Sequence, residues 1–405
     1  VTPAAFADRL ALLGPPPARV AVAVSGGPHS LALALLARGW AAGQGIGLLA
    51  LIAEHGLRAE SAAEASGVAD MLAGAGIAAR ILPLGLATGP AMQERAREAR
   101  LGALLAACAG EGAGWLLLGH HRMDQAETVL LRAARFSGPF GLAGMPALRE
   151  VAGAWLVRPL LDATPAALER ICAAAGLAPV RDPSNADSRF ARIRARSSLA
   201  DSGGEGPRVA ALAAAAEAFA RRRHAAEQAM LARLPALALR GDGTARIDRA
   251  ALGHDSVAVQ LLRRLLRCVG GARHAPAHDD VKTLLEAGQG TLGGAWWRRD
   301  GWLLREPALV APAIAADQGA WWDGRFHLSA AVPGCRLGPY GGPQPRRAAL
   351  PALWRGDELY AVPHLGIGPP MPQLGFRPIA GPLDAVFLSW RQISHSPRAN
   401  VTYVR

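Results

Sequence analysis

Residues 19–33 read RVAVAVSGGPHSLAL. The five residues Val20–Val24 are all apolar, and three of them are β-branched valines. That is the composition of a short strand buried on both faces. The run stops at Ser25, Gly26 and Gly27. Pro28 follows where a helix's first residue loses no hydrogen bond, and Ser30–Arg38 continues with helical composition. The glycine pair lets the backbone turn tightly and approach a ligand closely. The loop amides and the helix N-terminus would then face an anion, with the Ser25 and Ser30 hydroxyls as further donors. The stretch is neither GxGxxG nor GxxxxGK[ST], so dinucleotide and Walker phosphate loops both fit poorly.

Outward from this unit the pattern repeats. Strands are predicted at Gly47–Ala53, Ala78–Leu82 and Trp115–Gly119, and helices at Ser61–Gly74, Met92–Ala109 and Gln125–Ala134. Alternation of this kind predicts an α/β fold with a doubly wound, mainly parallel sheet. Leu156–Leu161 contains Pro159 and reads as an edge strand or extended segment. Thr164 is a predicted N-cap, with Pro165 at the first position of a helix ending near Gly176. Ser198–Pro207 is rich in Gly, Ser and acid and reads as a linker. Helices are predicted at Val209–Leu234, Val257–Cys268 and Asp279–Gly288, then a hairpin over Trp296–Arg305. From Pro312 onward short β-like segments alternate with Gly and Pro. The expected domains are therefore 1–200, catalytic; 208–310, small and helical; and 311–405, small and β-rich.

Composition narrows the chemistry. The 405 residues carry 44 basic and 32 acidic side chains, a net charge of +12, and Lys282 is the single lysine. Walker, pyridoxal-phosphate and kinase-type lysine mechanisms are thereby excluded elsewhere in the chain. Residues 201–405 hold 25 basic against 17 acidic side chains, so most of the excess lies beyond the α/β segment. An arginine-rich excess suits a polyanion, phosphate above all. Cys108, Cys172, Cys268 and Cys335 form no CxxC pair, which argues against zinc ribbons and cysteine-held clusters. Four scattered thiols fit a reducing, cytoplasmic setting. Val1–Leu13 lacks signal-peptide character, and no apolar run approaches the ~18 residues of a membrane span, so no membrane association is expected.

Further motifs follow in order. They are EHGLR at Glu54–Arg58, ERAREAR at Glu94–Arg100, GHHRMDQAETVLLR at Gly119–Arg132 and SGPFGLAGM at Ser137–Met145. RPLL at Arg158–Leu161 and DPSN at Asp182–Asn185 come next, the latter followed by Arg189, Arg192, Arg194 and Arg196. Asp124 and Glu127 are three apart, hence on one helix face, just past a strand's C-terminal end. A carboxylate pair there suits an ammonium ligand.

The SGGPHS loop resembles the pyrophosphate loop (PP-loop) of N-type ATP pyrophosphatases. The ordered set over residues 20–196 is similar to the tRNA(Ile)-lysidine synthetase family, and Leu350–Gly366 more loosely so. The resemblance implies a carbon–nitrogen ligase. ATP adenylates the wobble cytidine of the CAU-anticodon tRNA(Ile), and free L-lysine then displaces AMP at C2, giving lysidine. It implies ATP binding by Ser25, Gly26, Gly27, Pro28, His29 and Ser30, and lysine binding by Asp124 and Glu127. Arg97 would act on phosphate with Asp124 and Glu127 in catalysis, while His120, Arg189, Arg192, Arg194 and Arg196 would contact tRNA or phosphate. Mg²⁺ is implied, with Glu54 the candidate ligand, and some members of the family are homodimers. This chain departs from the family pattern at four places: His29, Glu54 and Met123 stand for aspartate, and Ile193 for asparagine. The alternative reading is a paralogue that binds tRNA or nucleotide without ligation. A tRNA thiolation enzyme is a weaker one, since cysteine pairs to carry sulfur are missing.

Overall fold

The computed structural model describes residues 1–56, 60–85, 92–151, 154–180, 191–371 and 373–378. Strand β1 (Arg19–Val24) is the axis of the first sheet. Its valines, Val20, Val22 and Val24, enter one core, and Ala21 and Ala23 enter another on the opposite face. Period-two alternation in an all-apolar strand thus serves two helix layers. The first core is packed by α1 (Pro3–Ala11), α2 (Pro28–Gln44), α3 (Ser61–Gly74) and α7 (Pro165–Ala174). The second is packed by α4 (Met92–Gly110) through Leu104, Ala107 and Cys108.

The other strands of this sheet are β2 (Gly47–Glu54), β3 (Ala78–Pro83), β4 (Trp115–Leu117), β5 (Leu148–Val151) and β6 (Ala154–Val157). Their order is β3-β2-β1-β4-β6-β5. All pairings are parallel except β5 with β6. The expected doubly wound sheet is therefore present. One detail is corrected: the segment containing Leu156 is not an edge. It begins earlier, as β6, and lies between β4 and the antiparallel edge strand β5. Pro159 falls after β6 ends, so its missing N–H breaks no ladder.

Helices α5 (Arg122–Ala133), α6 (Pro139–Leu142) and α8 (Ala191–Leu199) complete the first part, and α9 (Pro207–Ala232) runs from it into the second. The predicted cap of α7 is made: Thr164 Oγ1 accepts from Ala167 N at 3.2 Å. The glycine-rich stretch before α9 is an ordered cap. Asp201 accepts from the amides of Gly204 and Gly206 at 2.9 and 2.7 Å.

The chain divides into two compact units, one covering Val1–Ala225 and the other described from Ala226 to Pro378. In the second unit, β7 (Leu237–Leu239), β8 (Ala245–Ile247), β9 (Gly290–Leu292), β10 (Ala295–Trp297) and β11 (Trp302–Arg305) form a sheet. Its order is β7-β8-β11-β10-β9. With it go α10 (Arg249–Leu252), α11 (Ser256–Gly270) and α12 (His278–Ala287). Leu261, Leu262, Leu265 and Leu266 are all buried along α11, as an amphipathic core helix requires. Short strands then build a sheet β12-β15-β16-β17 and a sheet β13-β14-β18. Their ranges are β12 (Ile314–Ala315), β13 (Trp321–Trp322), β14 (Phe326–Leu328), β15 (Arg336–Pro339), β16 (Pro351–Arg355), β17 (Glu358–Ala361) and β18 (Leu374–Phe376). Buried Asp323 ties these strands to β11, accepting from Arg305 at 2.8 and 2.9 Å and from Arg325 at 2.7 Å. Among the described residues no helix is long and apolar enough to cross a membrane.

Candidate active site

The strand order reverses at β1, whose neighbours are β2 on one side and β4 on the other. In open α/β sheets the crevice beyond such a switch point is where ligands bind. The segments leaving β1 and β4 are Ser25–Ser30 and Gly119–His121. They touch: a Cβ on Gly119 would lie 3.3 Å from His29 O and from Ser30 Cα.

The first segment is a tight anion-sized loop. Gly26 has φ +80°, and a side chain there would meet Val68 Cγ2 at 2.6 Å, so both conformation and space demand glycine. Gly26 O accepts from Val180 N at 2.9 Å, which fixes the turn from behind. Ser30 Oγ closes the loop by accepting from Ser25 N at 3.1 Å and donating to Gly27 O at 2.9 Å. Gly27 caps α2 and Pro28 opens it, leaving first-turn amides directed outward from the helix end.

Three histidines line the second segment and the loop. The His29 and His121 rings meet edge to face, centroids 4.1 Å apart. Nε2 of His29 and Nδ1 of His120 and of His121 are buried without a hydrogen-bond partner. Burial, then the neighbouring His121, pushes the His29 imidazole down to about 4. Burial, then Arg158, pushes His120 down to about 3, and burial lowers His121 too. All three are neutral at physiological pH, and their orphaned nitrogens are the kind of polar atom a bound ligand satisfies.

Helix α5 carries the carboxylates. Asp124 Oδ2 accepts from His121 N at 3.0 Å, so the acid also caps its own helix. Glu127 is buried, and Arg196 Nε of α8 donates to it at 2.5 Å. Arg196 Nη2 lies 3.5 Å from Asp124 Oδ1, and Arg192 Nε 4.0 Å from Glu127. Burial raises the Glu127 carboxyl against the pull of Arg196. Burial acts to raise the Asp124 carboxyl, but it lies below the usual range overall: the His121 amide and Arg192 draw it down, as do His121 and His120 whenever those rings carry a proton. The two carboxylates thus hold a cation already, and it is a guanidinium of the same chain. Arg192 and Arg196 were expected on tRNA or phosphate; here both reach the acid pair.

Arg97 lies on α4, its side chain partly exposed; partial loss of solvent, then the neighbouring Arg192 and Arg149, lowers its proton affinity. Arg97, Arg158 and Arg192 all act on His120, which puts a cationic group round the same crevice. Glu54 ends β2, and its Oε1 accepts from Gly56 N at 2.5 Å, a local turn contact. Arg194 is exposed on α8. Arg189 and the DPSN segment lie outside the described residues.

Two departures from the family pattern acquire physical reasons. Met123 is 1% exposed and packs with Ala126 against Leu199 and Val209. An acid in that position could not remain buried uncompensated. His29 keeps its ring against His121 rather than presenting a charge. Among the described residues no three metal-ligating side chains cluster, and imidazole nitrogen is a poor ligand for Mg²⁺. Among the described residues the donor set therefore does not form a resident Mg²⁺ site.

Sequence reasoning missed the clamp on the loop after α5. Gln125 donates to Met145 O at 2.9 Å and accepts from Met145 N at 2.7 Å. Arg132 donates to the carbonyls of Gly141 and Gly144 at 2.7 and 3.0 Å. The signal was the co-occurrence of the DQAET and GLAGM motifs 20 residues apart, one supplying side chains and the other main chain.

Comparison with known proteins agrees with this architecture. Residues 5–202 match the model of the PP-loop domain. A tRNA(Ile)-lysidine synthase of Ruegeria pomeroyi is 34% identical over 87% of this chain and 90% of its own length. One from Methylobacterium nodulans is 42% identical over 67% of this chain and 82% of its own. A third, from Novosphingobium aromaticivorans, is 48% identical over 46% of this chain and 57% of its own. With its phosphate loop, acid helix and near full-length similarity to the Ruegeria pomeroyi relative, this chain belongs to the tRNA(Ile)-lysidine synthase family.

Proposed function

We propose that the protein is a carbon–nitrogen ligase that joins lysine to C2 of the wobble cytidine of CAU-anticodon tRNA(Ile). The observation that carries the reading is the convergence of an anion loop and a buried acid pair on one crevice. In the first step the cytidine O2 attacks the α-phosphorus of ATP, and pyrophosphate leaves. In the second the lysine ε-nitrogen attacks C2 and AMP leaves with the O2 oxygen. The Ser25–Ser30 loop cradles the phosphates, and Arg97 and Arg192 offset charge developing on them. Mg²⁺ enters as part of the nucleotide substrate, held by phosphate oxygens. Asp124 and Glu127 receive the lysine ammonium in place of the Arg196 guanidinium, a like-for-like exchange of cations. The amine gives up a proton before attack, and the three neutral imidazoles stand near that exchange.

The second unit fits a role in gripping tRNA. Arg240, Arg246 and Arg346 lie 4.9, 5.8 and 4.0 Å from the Trp302 ring centroid. All three are exposed, and guanidiniums held by an aromatic face suit phosphodiesters. A cavity of about 540 Å³ in the same unit is lined by Arg246, Arg249 and Arg299, with Asp248 and Asp300 among them.

Exchange of labelled pyrophosphate into ATP tests the first step. It should require CAU-anticodon tRNA(Ile) and proceed without lysine. Exchange that ignores tRNA, or none with it, would remove the adenylation step.

A further inference from the structure

Helix α5 ends in a hydrogen-bond pattern that normally calls for glycine. Ser137 N donates to Arg132 O and Phe136 N donates to Ala133 O, both at 2.9 Å. This is the paired closure of a Schellman cap, and it puts Phe136 at the left-handed position. Its φ is +51°, a region in which a bulky side chain is disfavoured. The ring then gains nothing from the fold, for Phe136 is 96% exposed. A residue that costs backbone strain and leaves an aromatic ring in water has no structural reason to be there.

The surroundings indicate what would cover it. Exposed Arg135 precedes it, and Arg132, one turn back, lies in the positive field of Arg192 and Arg97. The same helix carries Asp124 and Glu127. An exposed aromatic face bordered by arginines fits a polyanion with flat, stackable groups, which is an unpaired stretch of RNA. We propose that Phe136 is a stacking platform for an unpaired base of the tRNA substrate, at the opposite end of α5 from the acid pair. This rests on the reading of tRNA as substrate, and it requires only binding, not ligation.

The test is to measure stability and tRNA affinity in Phe136→Gly, Phe136→Leu and Phe136→Trp. Phe136→Gly should raise Tm by about 2–4 °C, because glycine relieves the left-handed residue. It should also weaken binding of CAU-anticodon tRNA(Ile), followed by fluorescence anisotropy, about tenfold. Phe136→Leu should lose a similar amount, since it is apolar but cannot stack, and Phe136→Trp should bind at least as tightly as wild type. Unchanged tRNA affinity in Phe136→Gly overturns the proposal. So does a fall in Tm, which would mean that the ring packs within the fold. Self-association of the wild type that Phe136→Gly abolishes, with tRNA binding intact, would overturn it in favour of a second copy as the occupant. If wild type binds tRNA through Phe136 but ligates no lysine, the platform stands and the ligase reading fails.

Discussion

Asp124 and Glu127 show how far single residues could be read in advance. Their spacing placed them on one face, and their position after a strand pointed to a ligand. The spacing could not reveal that Arg196, 69 residues beyond Glu127, already occupies the pair at 2.5 Å. Long-range charge pairing has no local pattern. The arrangement predicts a division of effects. Asp124→Asn and Glu127→Gln should each raise the KM for lysine by about tenfold or more, the loss expected for a charge-assisted contact. The KM for ATP should change little, because neither carboxylate belongs to the phosphate loop. Steady-state kinetics with each substrate varied in turn checks this, and equal effects on both would contradict the assignment. Met123 gives the opposite lesson. Its departure from an acidic pattern looked like a loss at the site, whereas its side chain belongs to the apolar joint between α5, α8 and α9.

Among the elements, strand β1 and helix α2 were legible because one apolar run, a glycine pair and Pro28 each speak for the same geometry. The β5–β6 hairpin was not, since β5 (LREV) has two exposed residues and looks like the end of a loop. The loops after β1 and β4 carry a pH signature that sequence could not show. His29 and His120 are held near 4 and 3 by burial, and His121 is also lowered. For a group whose folded pKa is depressed, stability is present above the unfolded value and is lost as pH falls below it. Below about 6.5 the unfolded chain binds protons that these rings refuse. Stability should therefore drop as pH falls from about 6.5 to about 4. Urea midpoints measured across that range should fall less steeply in His120→Gln than in wild type. Parallel curves would show that the ring titrates freely in the fold.

At the scale of the whole molecule, the charge excess of residues 201–405 was visible from composition, and the structure gives it a form in the arginines around Trp302. The grouping of helical and β-rich segments into one unit was not visible, because it depends on buried Asp323 meeting Arg305 and Arg325. The single lysine acquires its sense here as well. On the proposed mechanism the reactive amine arrives as a free substrate, with the acids of α5 assigned to hold it and arginines to hold phosphate. The measurement that bears most directly on this is transfer of radiolabelled L-lysine into CAU-anticodon tRNA(Ile), with ATP and Mg²⁺, by the wild-type chain. Stoichiometric, ATP-dependent incorporation at the wobble cytidine, abolished in Gly26→Ala because a Cβ cannot fit beside Val68, is the predicted result. No incorporation by wild type, with incorporation appearing in His29→Asp, would contradict it and show that the neutral loop of this chain does not ligate.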